Sequence, residues 1–334
     1  MDRWLTGADD GAMTQRKLGA LATPAIGLGC MGLSQGYGPA QESVAEAVHA
    51  ALDAGIVLFD TAMSYGMGHN ESVLGAALSD VDSEVQVATK VGIVRDDAGV
   101  RLDAAPERIR GYCEASLRRL GREHLDLYYL HRVDPAYPIE EQIGALADLV
   151  AAGLVRHLGV SEVSADQLRR ACATAPIAAV QLEWSLAWRA PEDDIVPAAR
   201  ELGVGLVAYS PLGRGLLTGA AESRDPATSA FRRTDPRFSA DALSRNAKQT
   251  ETIAAIADRL GATPGQVALA WLLAQGDDVV AIPGSRRPQR IRENAGAAEL
   301  TLDDQTMAEL TAVAAGFVGD RTSFAVDRTR RAGA

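Results

Sequence analysis

Lysine, cysteine and long apolar runs are all scarce in this 334-residue chain. Only Lys17, Lys90 and Lys248 stand among 33 lysines and arginines. Such a bias usually reflects genome composition, yet it makes a lysine at the end of a strand worth following. Cys30, Cys113 and Cys172 are odd in number and show no CxxC spacing. That argues against a disulfide framework or a zinc site and leaves free thiols in a reducing compartment. No apolar stretch approaches the roughly 18 residues of a membrane span. Positive charge is also in deficit. A net charge of -11 argues against a nucleic-acid backbone as partner and for a soluble, cytoplasmic protein. The opening MDRWLTGADDGAMTQRK lacks the basic-then-apolar order of a signal peptide, so residues 1–13 read as a disordered extension.

What is present is alternation. A chain of this length buries a full core, as two ordinary domains or as one large α/β barrel. QRKLGALATPAIGLGC reads as a short hairpin followed by a first strand. Short apolar runs recur at 57–61, 85–90, 125–131, 155–161, 178–182, 204–209 and 279–283. Between them lie ESVAEAVHAALDAG, PERIRGYCEASLRRLG, PIEEQIGALADLVAAG and PQRIRENAGAAEL. Each has apolar residues at helical spacing, and most carry Pro or acidic residues at the start or Gly at the end. Eight strands separated by helices imply a parallel sheet with right-handed crossovers. They fit a closed (β/α)8 TIM barrel with a short N-terminal β-hairpin better than two Rossmann halves. No linker divides the chain, so residues 14–318 are expected to form one barrel domain and 319–334 a C-terminal tail. The one long irregular stretch, 219–244, is of the kind that forms a lid or stays disordered.

Active sites of such barrels lie at the C-terminal ends of the strands. Asp60, Lys90 and His131 fall there on successive strands, and Tyr65 follows in the loop after Asp60. Taken singly, each has an ordinary reading: a helix cap, a snorkelling lysine, a core histidine, a rim aromatic. Their conjunction carries the information. A buried carboxylate needs a cationic partner, and Lys90 is the natural one for Asp60. A tyrosine titrates near pH ~10 and is a poor acid at neutral pH. An ammonium anchored beside it lowers that value. A neutral histidine donating to the same oxygen fixes its direction. Together they allow protonation of a carbonyl oxygen as hydride reaches the carbon. The hydride must come from a cofactor, since no side chain supplies one.

GLGCMG, residues 27–32, matches G-x-G-x-x-G, but LSQGYGPAQ intervenes before helical spacing resumes. A dinucleotide fingerprint needs a helix opening at the glycines, so these read as a turn beneath a substrate pocket. YSPLGRGLLTG, residues 209–219, is a better phosphate cradle, with glycines exposing backbone N–H groups and Arg214 adding charge. An ordinary turn-rich loop is the competing reading. IPGSRRPQRIRENAGA, residues 282–297, sets Ser285, Arg286, Arg287 and Arg290 around a helix start. That is an anion site suited to a 2′-phosphate, with solvated surface arginines as the alternative. Trp184, Trp188, Met31 and Tyr37 are candidates for an apolar pocket or for rim packing.

From residue 15 to about residue 317 the chain resembles the aldo-keto reductase family. The resemblance rests on AIGLGCMGLS, FDTAMSYG, the VATK strand, LDLYYLH, GVSEVS, AVQLEWSL, AYSPLGRGLL and IPGSRRPQRIREN, in the family's order and spacing. FRRTDPRF in the long loop looks most like the bacterial and plant branch with short substrate loops. The resemblance implies NADPH-dependent reduction of small-molecule aldehydes and ketones, without a metal. It puts the catalytic roles on Asp60, Tyr65, Lys90 and His131, with Lys90 and Asp60 lowering the Tyr65 pKa. It implies nicotinamide contacts from Ser161 and Gln181 and ring stacking on Tyr209. The pyrophosphate would rest on Ser210, Leu212, Gly213, Arg214 and Gly215, and the adenosine phosphate on Gly284, Ser285, Arg286, Arg290, Glu293 and Asn294. Two positions depart from the usual pattern. Glu162 stands where many members have asparagine, and Gly284 where many have a lysine against the 2′-phosphate. Two other classes stay open: a nicotinamide-binding regulatory or redox-sensing subunit resembling channel β subunits, and a barrel hydrolase or lyase.

Overall fold

Runs such as LDLYYL and IAAVQLE are apolar at most positions, as strands covered on both faces are. The computed structural model describes residues 13–34, 43–81, 84–97, 99–220 and 225–321. Its strands are β1 (Gln15–Leu18), β2 (Leu21–Pro24), β3 (Leu28–Gly29), β4 (Leu58–Asp60), β5 (Gln86–Val91), β6 (Ile93–Asp96), β7 (Gly99–Leu102), β8 (Leu125–Leu130), β9 (Val155–Ser161), β10 (Ile177–Glu183), β11 (Gly205–Tyr209) and β12 (Val279–Ile282). Eight of them are parallel in the order β12-β11-β10-β9-β8-β5-β4-β3. The two edges then meet. Ile26, just before β3, bridges Ala281 of β12 in parallel. The Gly27 amide donates to Ala281 O at 2.9 Å and the Ala281 amide to Ala25 O at 3.0 Å. The expected barrel is therefore present, and Gly29 explains part of its closure. A Cβ at Gly29 would lie 2.7 Å from the Ile282 carbonyl oxygen. The GLGCMG glycines let the first strand approach the last, and a short 3-10 turn over Cys30–Leu33 follows.

The hairpin β1/β2 blocks one end. Leu18 and Leu21 pack with Leu58, Leu127, Val207 and Val280 inside the barrel. Gly205 makes room for them, because a Cβ there would meet Leu18 Cδ2 at 2.5 Å. With the N-terminal end plugged, the opposite end is left for a ligand.

The outer layer is built from α1 (Val44–Asp53), α2 (His69–Leu78), α3 (Pro106–Leu120), α4 (Ile139–Ala151), α5 (Ala165–Thr174), α6 (Ile195–Glu201), α7 (Ala230–Thr234), α8 (Ala240–Leu260), α9 (Pro264–Leu273), α10 (Pro288–Ala295) and α11 (Asp304–Ala314). The four helical stretches read from the sequence correspond to α1, α3, α4 and α10. Capping explains their boundaries. α3 starts with Pro106 in its first turn and stops at Gly121, whose φ is 65°. α5 and α9 open with capping boxes, Ser164 with Gln167 and Thr263 with Gln266. Burial of Ile109, Leu117 and Leu120 of α3 in the core stabilises by about 1.5–3 kcal/mol per side chain.

Two segments differ from expectation or extend it. The hairpin β6/β7 was not foreseen, because Ile93 to Leu102 carries too few buried residues to read as strands. In the stretch 219–244, residues 225–238 form short helical turns capped by Asp225, Ser229 and Asp235, and Ser239 caps the start of the long helix α8. Residues 1–12, 221–224 and 322–334, with the expectations that fall on them, lie outside the described residues. No helix among the described residues is long and apolar enough to cross a membrane.

Candidate active site

Asp60 ends β4, Lys90 lies at the end of β5, and His131 directly follows β8, so neighbouring strands deliver all three to the open end of the barrel. Lys90 is fully buried. Its Nζ donates to Asp60 Oδ1 and, at 2.7 Å, to the carbonyl of Thr61. The other Asp60 oxygen accepts from Gln181 Nε2 at 2.8 Å. The buried carboxylate thus has the cationic partner the sequence demanded. Lys90 also hydrogen-bonds the Tyr65 hydroxyl, its Nζ lying 5.3 Å from the ring centroid. The Tyr65 and His131 rings meet edge to face with centroids 6.1 Å apart.

The loop that presents Tyr65 is held tightly. Asn70 Nδ2 donates to Cys30 O at 2.9 Å and to Ser34 Oγ at 2.7 Å, and Thr61 Oγ1 donates to Asn70 Oδ1 at 2.6 Å. Immediately after Tyr65, residues 66, 67 and 68 all take positive φ, at 57°, 55° and 87°. Met67 is the one non-glycine of the three, and it is 59% exposed. A strained turn of this kind persists when its surroundings fix it.

The electrostatics correct one expectation. Burial is the largest influence on Tyr65 and raises its pKa above the ordinary tyrosine value. Lys90 lowers it as expected, but Asp60 raises it. The phenol therefore holds its proton more firmly than an exposed tyrosine. Burial also raises Asp60, against Lys90 and Gln181, which pull it down. For Lys90 burial is the largest single cause and lowers the value, but Asp60 and Tyr65 together carry it above the usual lysine range. His131 falls well below the usual histidine value through burial, then Arg132 and Lys90, which makes it a neutral imidazole.

Arg132 was missed by the sequence reading. It is buried beside the site and donates from Nη1 to His131 O at 2.6 Å and to Ser161 Oγ at 3.2 Å. A second charge directly after a strand-end histidine was the available signal. Glu162 has a φ of 55° and does not line the cavity. Its Oε1 accepts from the Glu183 amide at 3.1 Å, and its Oε2 pairs with Arg321.

One cavity of about 640 Å³ joins Asp60, Tyr65 and His131 to the segments expected to hold a nucleotide. Ser161, Gln181, Tyr209, Ser210, Leu212, Arg214, Gly215, Gly284, Ser285, Arg286, Arg290, Glu293 and Asn294 all line it. Lys90 and Gly213 do not. Lys90 lies behind Tyr65, and the Gly213 amide donates to Ser210 O at 2.9 Å. The Gly215 amide likewise donates to Leu212 O at 2.9 Å. The expectation that these two glycines expose their N–H groups is therefore corrected: both amides close the turn. Arg214, between them, lines the cavity with a paired side chain. Its guanidinium pairs with Asp235 at 3.0 Å, and its carbonyl accepts from Arg232 Nε at 2.9 Å. Arg237 bridges Asp235 and Glu183 behind it, at 2.8 and 2.7 Å.

At the far end, Glu293 accepts from Arg290 Nη1 at 2.6 Å and from Thr263 Oγ1 at 2.9 Å. Gly284 has a steric reason. A Cβ there would lie 2.9 Å from the Gly29 carbonyl oxygen, so a side chain at this position requires the barrel seam to shift. Seven arginines and two acids, Asp60 and Glu293, line the cavity of a chain whose net charge is -11. That concentration fits an anionic ligand such as a dinucleotide phosphate. Met31 also lines the cavity, whereas Trp184 is a core residue whose Nε1 donates to Glu192 at 2.9 Å. Trp188 lies outside the lining, and Tyr37 is not among the described residues.

The Aldo/keto reductase family matches residues 25–315. Probable aldo-keto reductase 1 of Glycine max is 44% identical over 289 residues, covering 85% of this chain and 84% of the relative. The solved glycerol dehydrogenase of Gluconobacter oxydans is 32% identical, with a TM-score of 0.82 over 93% of this chain and 97% of that one. A thermostable aldo-keto reductase solved with the inhibitor epalrestat is also 32% identical, with a TM-score of 0.72 over 90% and 100%.

Proposed function

The chain belongs to the aldo/keto reductase family, and from that premise we propose that it reduces aldehyde and ketone carbonyls with NADPH, Tyr65 acting as general acid. The observation that supports this most directly is the buried Lys90 ammonium, shared between Asp60 and the Tyr65 hydroxyl at the floor of an arginine-lined cavity. When bound, the dinucleotide supplies the hydride. Tyr65 gives its proton to the carbonyl oxygen. Lys90 offsets the charge that develops on the phenol, and Asp60 keeps that ammonium in place. His131, neutral and edge-on to Tyr65, orients the carbonyl. Loss of NADPH absorbance on adding aldehydes, ketones and a pyridoxal-like carbonyl, without a partner protein, tests the reading. Failure with every class would reject it in favour of a regulatory subunit.

The likeness to a glycerol dehydrogenase makes polyol oxidation the second reading. In that direction Tyr65 would serve as base, which its raised pKa disfavours at neutral pH.

The same pKa directions give a pH profile. A general acid works while protonated, and Tyr65 is raised above the ordinary value of about 10. The kcat for reduction should therefore stay level to above pH ~10. At the acid end, His131 is depressed, so no loss from its protonation is expected near its usual value of about 6.5. A fall in kcat between pH ~7 and ~9 would show that Tyr65 is not the acid or that its proton is held less firmly.

Arg290 is assigned to the 2′-phosphate, because it lines the cavity where Gly284 offers no side chain. Replacing Arg290 by Ala should raise the KM for NADPH about tenfold, the scale of a lost charge-assisted hydrogen bond at a partly exposed site. The KM for NADH should hardly move, and initial rates with both nucleotides check this.

A further inference from the structure

The last described residues do not simply trail from α11. Asn246 of α8 grips Val318 on both sides, donating to its carbonyl at 2.9 Å and accepting from its amide at 2.8 Å. Gly319 then turns with φ 99° directly over Arg237, where a Cβ would lie 2.9 Å from the Arg237 Cα. The outcome is that Arg321 arrives at the open end of the barrel, 159 residues along the chain from Glu162.

Its guanidinium makes three contacts there. One nitrogen pairs with Glu162, another donates to the Tyr209 hydroxyl at 3.2 Å, and the group lies 5.8 Å from the Trp188 ring centroid. Glu162 is buried and gives its second oxygen to the Glu183 amide, so the anchor for Arg321 is itself fixed. Tyr209 is the member of this set that lines the cavity. A tyrosine ring swings about its Cα–Cβ bond, and holding its hydroxyl stops that swing; rotation about Cβ–Cγ leaves the oxygen in place, so that bond is not fixed by this contact.

We infer that Arg321, with Glu162 as its counter-ion, is a positioning residue that pins the hydroxyl end of Tyr209 and holds its ring as the wall against which the nucleotide packs. This rests on the nicotinamide-binding reading given above. It also accounts for glutamate at position 162. A carboxylate there serves the guanidinium behind the wall, not the ligand in front of it. The competing possibility is that the pair only fastens the end of the chain. An exposed ion pair would be worth little, but side-chain exposure here is 22% for Arg321 and 6% for Glu162.

The test compares Arg321→Ala, Arg321→Lys, Tyr209→Phe and the double variant Arg321→Ala/Tyr209→Phe in the full chain. Calorimetry gives the NADP+ dissociation constant, single-turnover kinetics the hydride-transfer rate, and melting of the nucleotide-free protein the stability. Arg321→Ala should raise the dissociation constant about tenfold, the loss expected for a hydrogen bond to a charged group. Tyr209→Phe, which keeps the ring and loses the hydroxyl, should reproduce much of that effect. The double variant should be no worse than Arg321→Ala alone, because the two changes break the same contact. Arg321→Lys should recover part of the affinity through Glu162. Unchanged affinity and hydride transfer in Arg321→Ala, whatever its melting temperature, would overturn the inference. So would effects that add in the double variant. If the unmodified protein neither binds NADP+ nor reduces any carbonyl, the reductase reading fails and takes this inference with it.

Discussion

Tyr65→Phe is expected to lower kcat for carbonyl reduction by about 10²–10⁴-fold, the usual worth of a positioned general acid. NADPH binding should stay within a factor of about two, because the change removes a single hydroxyl whose partner is the Lys90 ammonium. The fold should also tolerate the change. Lys90 keeps its bonds to Asp60 and to Thr61 O, so no buried charge is orphaned when the phenol oxygen leaves. The variant therefore separates chemistry from binding. Steady-state rates and calorimetry on one preparation measure both, and substantial retained turnover with intact binding would remove Tyr65 from the mechanism. The alkaline end of the pH profile provides an independent check. Any residual activity should lack the limb assigned to Tyr65, since phenylalanine has no proton to lose.

Much of this site was legible before any coordinates. Barrel strands covered on both faces are continuous apolar runs, so IVLFDT, VQVATK and LDLYYLH announced themselves. A charged residue ending such a run is conspicuous because burying it is costly. That logic reached Asp60, Lys90 and His131, and it predicted the pairing of Asp60 with Lys90. It did not reach Arg132, which lies one residue past the charged end of its run. It could not reach Arg321. Nothing local marks an arginine in a polar tail, and its partner is 159 residues away. The β6/β7 hairpin was invisible for a different reason. Its residues are largely exposed, so it lacks the apolar run by which the other strands were found. The sign of the Tyr65 shift was also out of reach. A list of neighbouring charges gives their directions, but the dominant influence is burial, which depends on how closely the loop packs. Gly284 is a similar case. The sequence shows its departure from the usual lysine, but only the fold reveals the Gly29 carbonyl packed against it.

Lys90→Met should produce the largest combined loss, in activity and in stability. Methionine fills most of the volume but removes the ammonium that Asp60 faces in a buried site. Breaking a buried ion pair from one side costs about 3–5 kcal/mol, because the remaining charge stays desolvated. Gln181 still donates to the other Asp60 oxygen, so the lower end of that range is expected. Lys90 is also the main influence holding the Asp60 pKa down against burial. Without it, the folded-state pKa moves further above the unfolded value of about 3.9. An acid whose folded pKa is raised binds more protons folded than unfolded, so stability falls as pH rises through that interval. The deficit relative to the unmodified protein should therefore be smaller at pH ~5 than at pH ~8. Chemical denaturation at the two pH values measures it, and a deficit that grows towards acid would contradict the assigned pairing. The double variant Asp60→Asn/Lys90→Met removes both charges and keeps an acceptor for Gln181. It should regain most of the lost stability and lose the pH dependence. It should remain as inactive as Lys90→Met, since no ammonium then offsets the charge developing on Tyr65. Recovery of turnover along with stability would mean that Lys90 serves the fold alone.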